Sequence, residues 1–182
     1  MESAAPLPPR ALALRAGVPD PADVIGSYRA VGRDSRATIL ELLGPGWSWE
    51  GNDIDQRSIA WLQRELSPPL HAFVNRSAPP LDQPDGVFDL VWSVSVFTRI
   101  TDHWAGWLAE LHRVLAPGGL AILSFLDAAM YETWTGGEWD EDSIGMTVLN
   151  HGQDWELGGP TVFHSPWWLG GGHTGLQIRV PP

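Results

Sequence analysis

Two nearly continuous apolar runs, "VFDLVWSV" (87–94) and "LAILSFL" (120–126), flank the segment "TDHWAGWLAELHRVLAPGG", and no other feature of the chain limits its fold as strongly. A strand-length apolar run without alternation suits a strand covered on both faces, as in a parallel sheet between helices. Between the runs, Trp104, Trp107, Leu108, Leu111, Val114 and Leu115 keep the i, i+3, i+4, i+7 rhythm of a helix. Thr101 or Asp102 is placed to cap its start, and Pro117-Gly118-Gly119 stops it. Strand, helix and strand over 87–126 make a βαβ unit, hence a parallel pair and an α/β fold.

The rest of the chain is consistent with that class. Residues 1–21, rich in Pro, Ala and Arg, read as a flexible lead-in, and 22–182 as one α/β domain. Ala22 to Leu43 is helical in pattern, with Ile39, Leu40, Leu42 and Leu43 as a stripe and Gly44-Pro45 as its stop. "DQRSIAWLQREL" predicts a second helix, with Asp55 as N-cap and Ile59, Leu62 and Leu66 on one face. "HAFVN" (71–75) predicts a short strand, Ala128 to Trp134 a helix, and "TVFH" (161–164) and "LQIRV" (176–180) two further strands.

Composition removes several function classes. The 182 residues carry 22 acids against 11 basic residues, all arginine, for a net charge of −11. That charge repels nucleic acid and anionic membranes, so neither is an expected partner. Without cysteine there is no disulfide, thiolate metal site or cysteine nucleophile. No 18-residue apolar run and no signal-peptide segment is present, so the expected location is the cytoplasm.

At "DGVFDLVWSVSVFTRITDHWAGWLAELHRVLAPGGLAILSF" the sequence resembles the class I S-adenosylmethionine-dependent methyltransferases, in the branch with a generic small-molecule methyltransferase domain. Their fourth strand reads F-D-x-V, and an L-x-x-V-L-x-P-G-G turn, here Leu111 to Gly119, leads into the fifth. The resemblance covers 50–126 well and extends over 22–168. It implies a Rossmann-like sheet with flanking helices, S-adenosylmethionine as cofactor and a small-molecule methyl acceptor. It also implies cofactor-binding positions. Asp53, followed by Ile54, ends the second strand, where the family places a carboxylate on the ribose hydroxyls. Asn75 or Ser77 stands where many relatives use an acid to hold the adenine amine. Ser93 and Val94 match the strand end facing the sulfonium. Arg99 occupies a position where relatives of this branch commonly carry histidine. The resemblance names no catalytic residue.

In this family a glycine-rich loop and a returning helix separate the first strand from the second. A parallel crossover needs a dozen or more residues, but only Trp47 to Asn52 lie between Gly46 and Asp53. Gly44-Pro45-Gly46 is therefore not that loop, and Arg33 to Leu43 reads as a leading helix. On this reading the first-strand segment is lost and the sheet is incomplete there: the second and fourth strands pair directly, or leave a gap for another element or subunit to fill. The C-terminus is altered as well: after "SPWWL" comes "GGGHTG", poor in helix formers.

Other chemistry is thinly represented. None of the six histidines forms an i, i+4 pair around a carboxylate, so no zinc-hydrolase motif exists, and no metal is expected. His112 falls on the outer face of its helix, while His151 and His164 fall near the expected active-site rim, where a base serves to deprotonate an acceptor. "EWDEDS" (138–143) lacks calcium-loop spacing and reads as a solvated loop. Three functions follow: a methyltransferase impaired by loss of its cofactor loop, a non-catalytic scaffold of the same family, or a sugar-binding module. The last uses the tryptophans that helical spacing does not explain: Trp134, Trp139, Trp155, Trp167 and Trp168.

Overall fold

A computed structural model describes residues 7–15, 22–27, 29–30, 47–68, 70–140, 142 and 145–165. Contacts divide the chain into two compact units, Met1–Ser77 and Ala78–Pro182, with the boundary inside the span that the sequence assigns to one domain.

In the first unit, Arg10–Arg15 form a short helix, α1, within the segment read as lead-in, and residues 24–27 and 29–30 are helical. Most of the leading helix, Arg33 to Leu43, and Gly44–Gly46 lie outside the described residues. A βαβ unit follows: β1 (Trp49–Asp53), α2 (Gln56–Glu65) and β2 (Leu70–Val74). The strands are parallel, in register from Trp49 opposite Leu70 to Asp53 opposite Val74. Asp55 caps α2 as expected: its carboxylate accepts from the backbone N–H groups of Arg57 and Ser58, at 3.4 and 3.1 Å, and from Ser58 Oγ at 2.6 Å. The helix buries Ile59 and Trp61. Ile59 is 1% exposed, a burial that contributes about 1.5–3 kcal/mol for a side chain of this size.

The second unit contains the βαβ unit from which the sequence argument began: β3 (Phe88–Ser93), α3 (Trp104–Val114) and β4 (Leu115–Leu123), with β3 and β4 parallel. Trp107, Leu111 and Val114 are buried as their spacing predicts. Three details differ. The N-cap is His103, in a left-handed conformation with φ 57° and no side-chain capping bond, rather than Thr101 or Asp102. The last strand starts at Leu115, which pairs with Phe88 across a register shift, so the Pro-Gly-Gly turn lies within β4. Gly119 is required there, because a Cβ would meet the Ala116 carbonyl at 2.9 Å and the Asp89 carbonyl at 3.2 Å. Finally, β3 and β4 are only half-buried, and Leu120 is exposed. Each has a single strand partner among the described residues, so one flank of each lacks a sheet neighbour to cover it.

Helix α4 (Ala128–Thr135) is capped by Asp127, which accepts from the Met130 N–H at 3.0 Å, and ends at Gly136 with φ 69°. β5 (Met146–Leu149) and β6 (Thr161–His164) form an antiparallel pair. The predicted 161–164 strand is present; β5 has no counterpart in the sequence reading. Every residue of β6 is buried, and with Phe97 and Val114 it supplies much of this unit's core. The predicted 176–180 strand and "GGGHTG" lie outside the described residues. Among those described, the sheet is incomplete: three two-stranded pieces, β1–β2, β3–β4 and β5–β6.

Candidate functional site

Parallel strands present their C-terminal ends together, and in open α/β sheets ligands bind beyond those ends. At that edge of the first unit stand Asp53, Ile54 and Asn75. Asp53 is the last residue of β1, and Asn75 follows β2, donating its backbone N–H to the Asp53 carbonyl at 3.1 Å. The Asp53 side chain is held from one side only: Oδ1 accepts from the Asp55 N–H at 2.8 Å. Asp53 is exposed, and Oδ2 carries no hydrogen bond among the described residues, so it is available to a donor. Ile54 is 41% exposed beside it, an apolar surface at a polar strand end.

Asn75 Nδ2 donates to the Arg76 carbonyl at 2.9 Å, whereas Oδ1 is buried without a hydrogen-bond partner. An unpaired buried acceptor costs free energy and marks a place where a donor belongs. A carboxylate for two hydroxyls and a buried amide oxygen for an exocyclic amine fit the adenosine half of S-adenosylmethionine. Ser77 lies two residues further on and is exposed. Of the four positions expected in this unit, the structure brings together Asp53, Ile54 and Asn75.

Ser93 and Val94 belong to the second unit, at the corresponding edge of β3–β4. Ser93 ends β3, and its carbonyl accepts from the Ser124 N–H at 3.0 Å. Val94 is 46% exposed. Ser95 has φ 61°, an uncommon conformation for a residue with a side chain, and its N–H donates to Ser124 Oγ at 2.7 Å. This strand end therefore turns sharply and leaves Val94 uncovered.

Arg99, at the position where histidine is common in relatives, makes structural contacts. Its Nη1 donates to the carbonyls of Gly158 and Pro160 at 3.0 and 3.2 Å and to Thr161 Oγ1 at 3.1 Å. It thus fastens the start of β6 to the loop after β3. Behind β3, Arg113 performs a similar task. It reaches Asp85 at 2.6 Å, the Gln83 carbonyl at 2.8 Å and buried Glu110, which also accepts from the Leu81 N–H at 2.8 Å. The guanidinium lowers the Glu110 pKa, against the opposing effect of burial, and Glu110 and Asp85 raise that of Arg113. Sequence reasoning missed this cluster. The available signal was Glu110 and Arg113 at i, i+3 with Asp85 ahead of a glycine turn.

The histidines separate by burial. His112 is exposed on α3, as expected, and His151 lies exposed in a turn. His164 is not at a rim: it is fully buried, its ring packs edge-on against Phe125 at 5.1 Å and Trp104 at 6.3 Å, and neither nitrogen meets a hydrogen-bond partner. Burial lowers its pKa; the Phe97 backbone opposes this without prevailing or meeting hydrogen-bond geometry. Trp139 is also buried and packs on Tyr131, so it offers no platform to a sugar, while Trp134 and Trp155 are exposed. Trp167 and Trp168 lie outside the described residues. No group of three or more His, Asp or Glu is placed to hold a metal ion among the described residues, and no helix there is long and apolar enough to cross a membrane.

A family model described as a methyltransferase domain matches residues 30–123, just over half of the chain. Among solved structures, the chain is similar to a TehB-like SAM-dependent methyltransferase from Corynebacterium glutamicum ATCC 13032 Kitasato, at 16% identity and a TM-score of 0.41, over 77% of this chain and 96% of that one. No curated protein matches. By the extent of the family match, joined to the motifs at 87–126, the chain belongs to the class I S-adenosylmethionine-dependent methyltransferase family.

Proposed function

We propose that the chain binds S-adenosylmethionine through Asp53 and Asn75 and transfers its methyl group to a small-molecule acceptor, with affinity lowered by loss of the glycine-rich loop. The observation that carries the reading is that two residues joined by a backbone bond, at the edge where this fold holds adenosine, both keep open acceptors: Asn75 Oδ1 is orphaned, and the Asp53 carboxylate is held at Oδ1 alone. Asp53 accepts from the ribose hydroxyls, and Asn75 Oδ1 accepts from the adenine amine. The cofactor supplies an electrophilic methyl on its sulfonium. In-line displacement asks of the protein mainly positioning and exclusion of water.

Two residues separate Gly46 from the start of β1 at Trp49, too few for the helix that returns from a cofactor loop, which supports the reading that the first-strand segment and its glycine-rich loop are lost. Weak cofactor binding is the consequence. A dissociation constant of about 0.1 mM, or roughly −5.5 kcal/mol, is the expected scale. Calorimetric titration of S-adenosylhomocysteine tests this: binding near that scale supports the loss of the loop, and micromolar affinity contradicts it. The acceptor is sought with methyl-labelled cofactor against panels of amines, phenols and carboxylic acids. Label transfer to none of them by a protein that binds cofactor favours the non-catalytic scaffold.

A further inference from the structure

We infer that the β5–β6 hairpin is an acid-released cover on the C-terminal edge of the β3–β4 pair, with His164 as its trigger. Although β6 is buried, the hairpin's backbone bonds to this edge are few among the described residues. The Val162 N–H donates to the Thr98 carbonyl, and the His164 N–H to the Leu126 carbonyl, both at 2.8 Å. Phe163 forms an isolated parallel bridge with Leu126. Thr98 and Leu126 lie just beyond the ends of β3 and β4, so β6 joins the two segments that leave that edge. Arg99 ties down residues 158–161, and Phe163 receives the edges of Tyr131 and Trp134, at 5.3 and 5.8 Å.

The weak point of this attachment is chemical. His164 is 0% exposed, both ring nitrogens lack partners, and the neighbouring Ser165, 1% exposed, leaves its hydroxyl unpartnered as well. As neutral imidazole the ring is tolerated among aromatic groups. As imidazolium it becomes a buried ion faced by the Phe97 backbone outside hydrogen-bond geometry, a condition that this contact and cation–π attraction to Phe125 or Trp104 are too weak to offset.

Among the described residues, no charge is placed to compensate it. The segment after β3 contributes Phe97 and the cation Arg99, which is engaged by the residues at the start of β6. From the start of α3 comes Trp104, while His103 is exposed. From the segment after β4 come Phe125 and Asp127, whose carboxylate caps α4. β5 has no ionisable residue, and Met146 is the register partner of His164. Burial is the dominant influence on the ring, and no charged group contributes.

The sign of the pH dependence follows. The folded state holds His164 below its ordinary value of 6.5, so the open form binds more protons. Closure is fully favoured above that pH and is lost as the pH falls below it. The hairpin's opening equilibrium rises up to about tenfold per pH unit until the folded-state value is reached. The device concerns the β3–β4 edge alone and is read without cofactor, so its failure leaves the proposed function untouched.

Hydrogen exchange by NMR on the full chain, corrected for intrinsic rates between pH 8 and 5, provides the test. The expected result is that the amides of Val162 and His164 lose protection about tenfold per unit below pH 6. Val91 and Ile122 in β3–β4 stay level, and His164→Phe flattens the slope. If that variant does not fold, the wild-type imidazole resonances decide: His164 remains neutral below pH 6.5 for as long as the hairpin is closed. The inference is overturned if β3–β4 opens in step with the hairpin, if the slope survives in His164→Phe, or if His164 protonates at its ordinary pH with the hairpin shut.

Discussion

The backbone N–H of Asn75 donates to the carbonyl of Asp53 at 3.1 Å, continuing the β1–β2 ladder one residue past its last registered pair, Asp53 and Val74. One bond thus fixes the two residues to which the proposed function assigns cofactor recognition, and it uses only main-chain atoms. Substituting either side chain leaves the bond in place, so binding and folding can be separated by mutation.

Asn75→Leu replaces the amide, with its orphaned oxygen, by an apolar group of similar size. Removal of an unsatisfied buried acceptor leaves stability unchanged or raises it by about 1–2 kcal/mol, while S-adenosylhomocysteine affinity falls roughly tenfold, as loss of one hydrogen bond implies. Thermal unfolding and calorimetric titration on the same preparation check both halves.

Asp55→Ala gives the opposite pattern. The α2 cap is lost, at a cost of about 1 kcal/mol, but the bond from the Asp55 N–H to Asp53 Oδ1 is retained. Urea denaturation with cofactor titration is expected to show lower stability and unchanged affinity.

Glu110→Ala leaves the Leu81 N–H and the Arg113 guanidinium without their shared carboxylate. The unsatisfied amide, on a residue 7% exposed, costs about 1–3 kcal/mol. The wild-type pH profile carries the same signature. Glu110 has a lowered pKa in the folded state, so its contribution is complete above the ordinary value of 4.5 and is lost as pH falls through the folded one. Glu110→Gln flattens that acid limb in a plot of unfolding midpoint against pH.

Arg99→Ala removes three hydrogen bonds to residues 158–161 and destabilises the second unit by about 1–2 kcal/mol. Arg99→Lys recovers only part of this, because an ammonium group does not reproduce the planar fork of the guanidinium. Limited proteolysis around 150–160 reports the loosening in both variants.

What the sequence reveals is set by the range of the interaction. The strand at 88–93, the apolar face of α3 and the Asp55 cap were legible because each is written in neighbours a few residues apart. His103 as N-cap was not, since a left-handed backbone without a side-chain bond leaves no composition signal. The four-residue β5 is too short to show a period. The role of Glu110 was not legible, because its partner amide, that of Leu81, is 29 residues away. The site divides in the same way. Asp53 and Asn75 could each be named from the resemblance, but only the β1–β2 register makes them neighbours. His164 looked like a rim base until packing enclosed it among aromatic rings.

The central claim, that Asp53 and Asn75 hold the adenosine half of the cofactor, is tested most directly by titrating S-adenosylhomocysteine into the wild type, Asp53→Ala and Asn75→Leu side by side. Binding near 0.1 mM in the wild type, about tenfold weaker in each variant with folding intact, is the predicted result. Absence of binding to folded wild-type protein, or affinity that neither substitution changes, contradicts it.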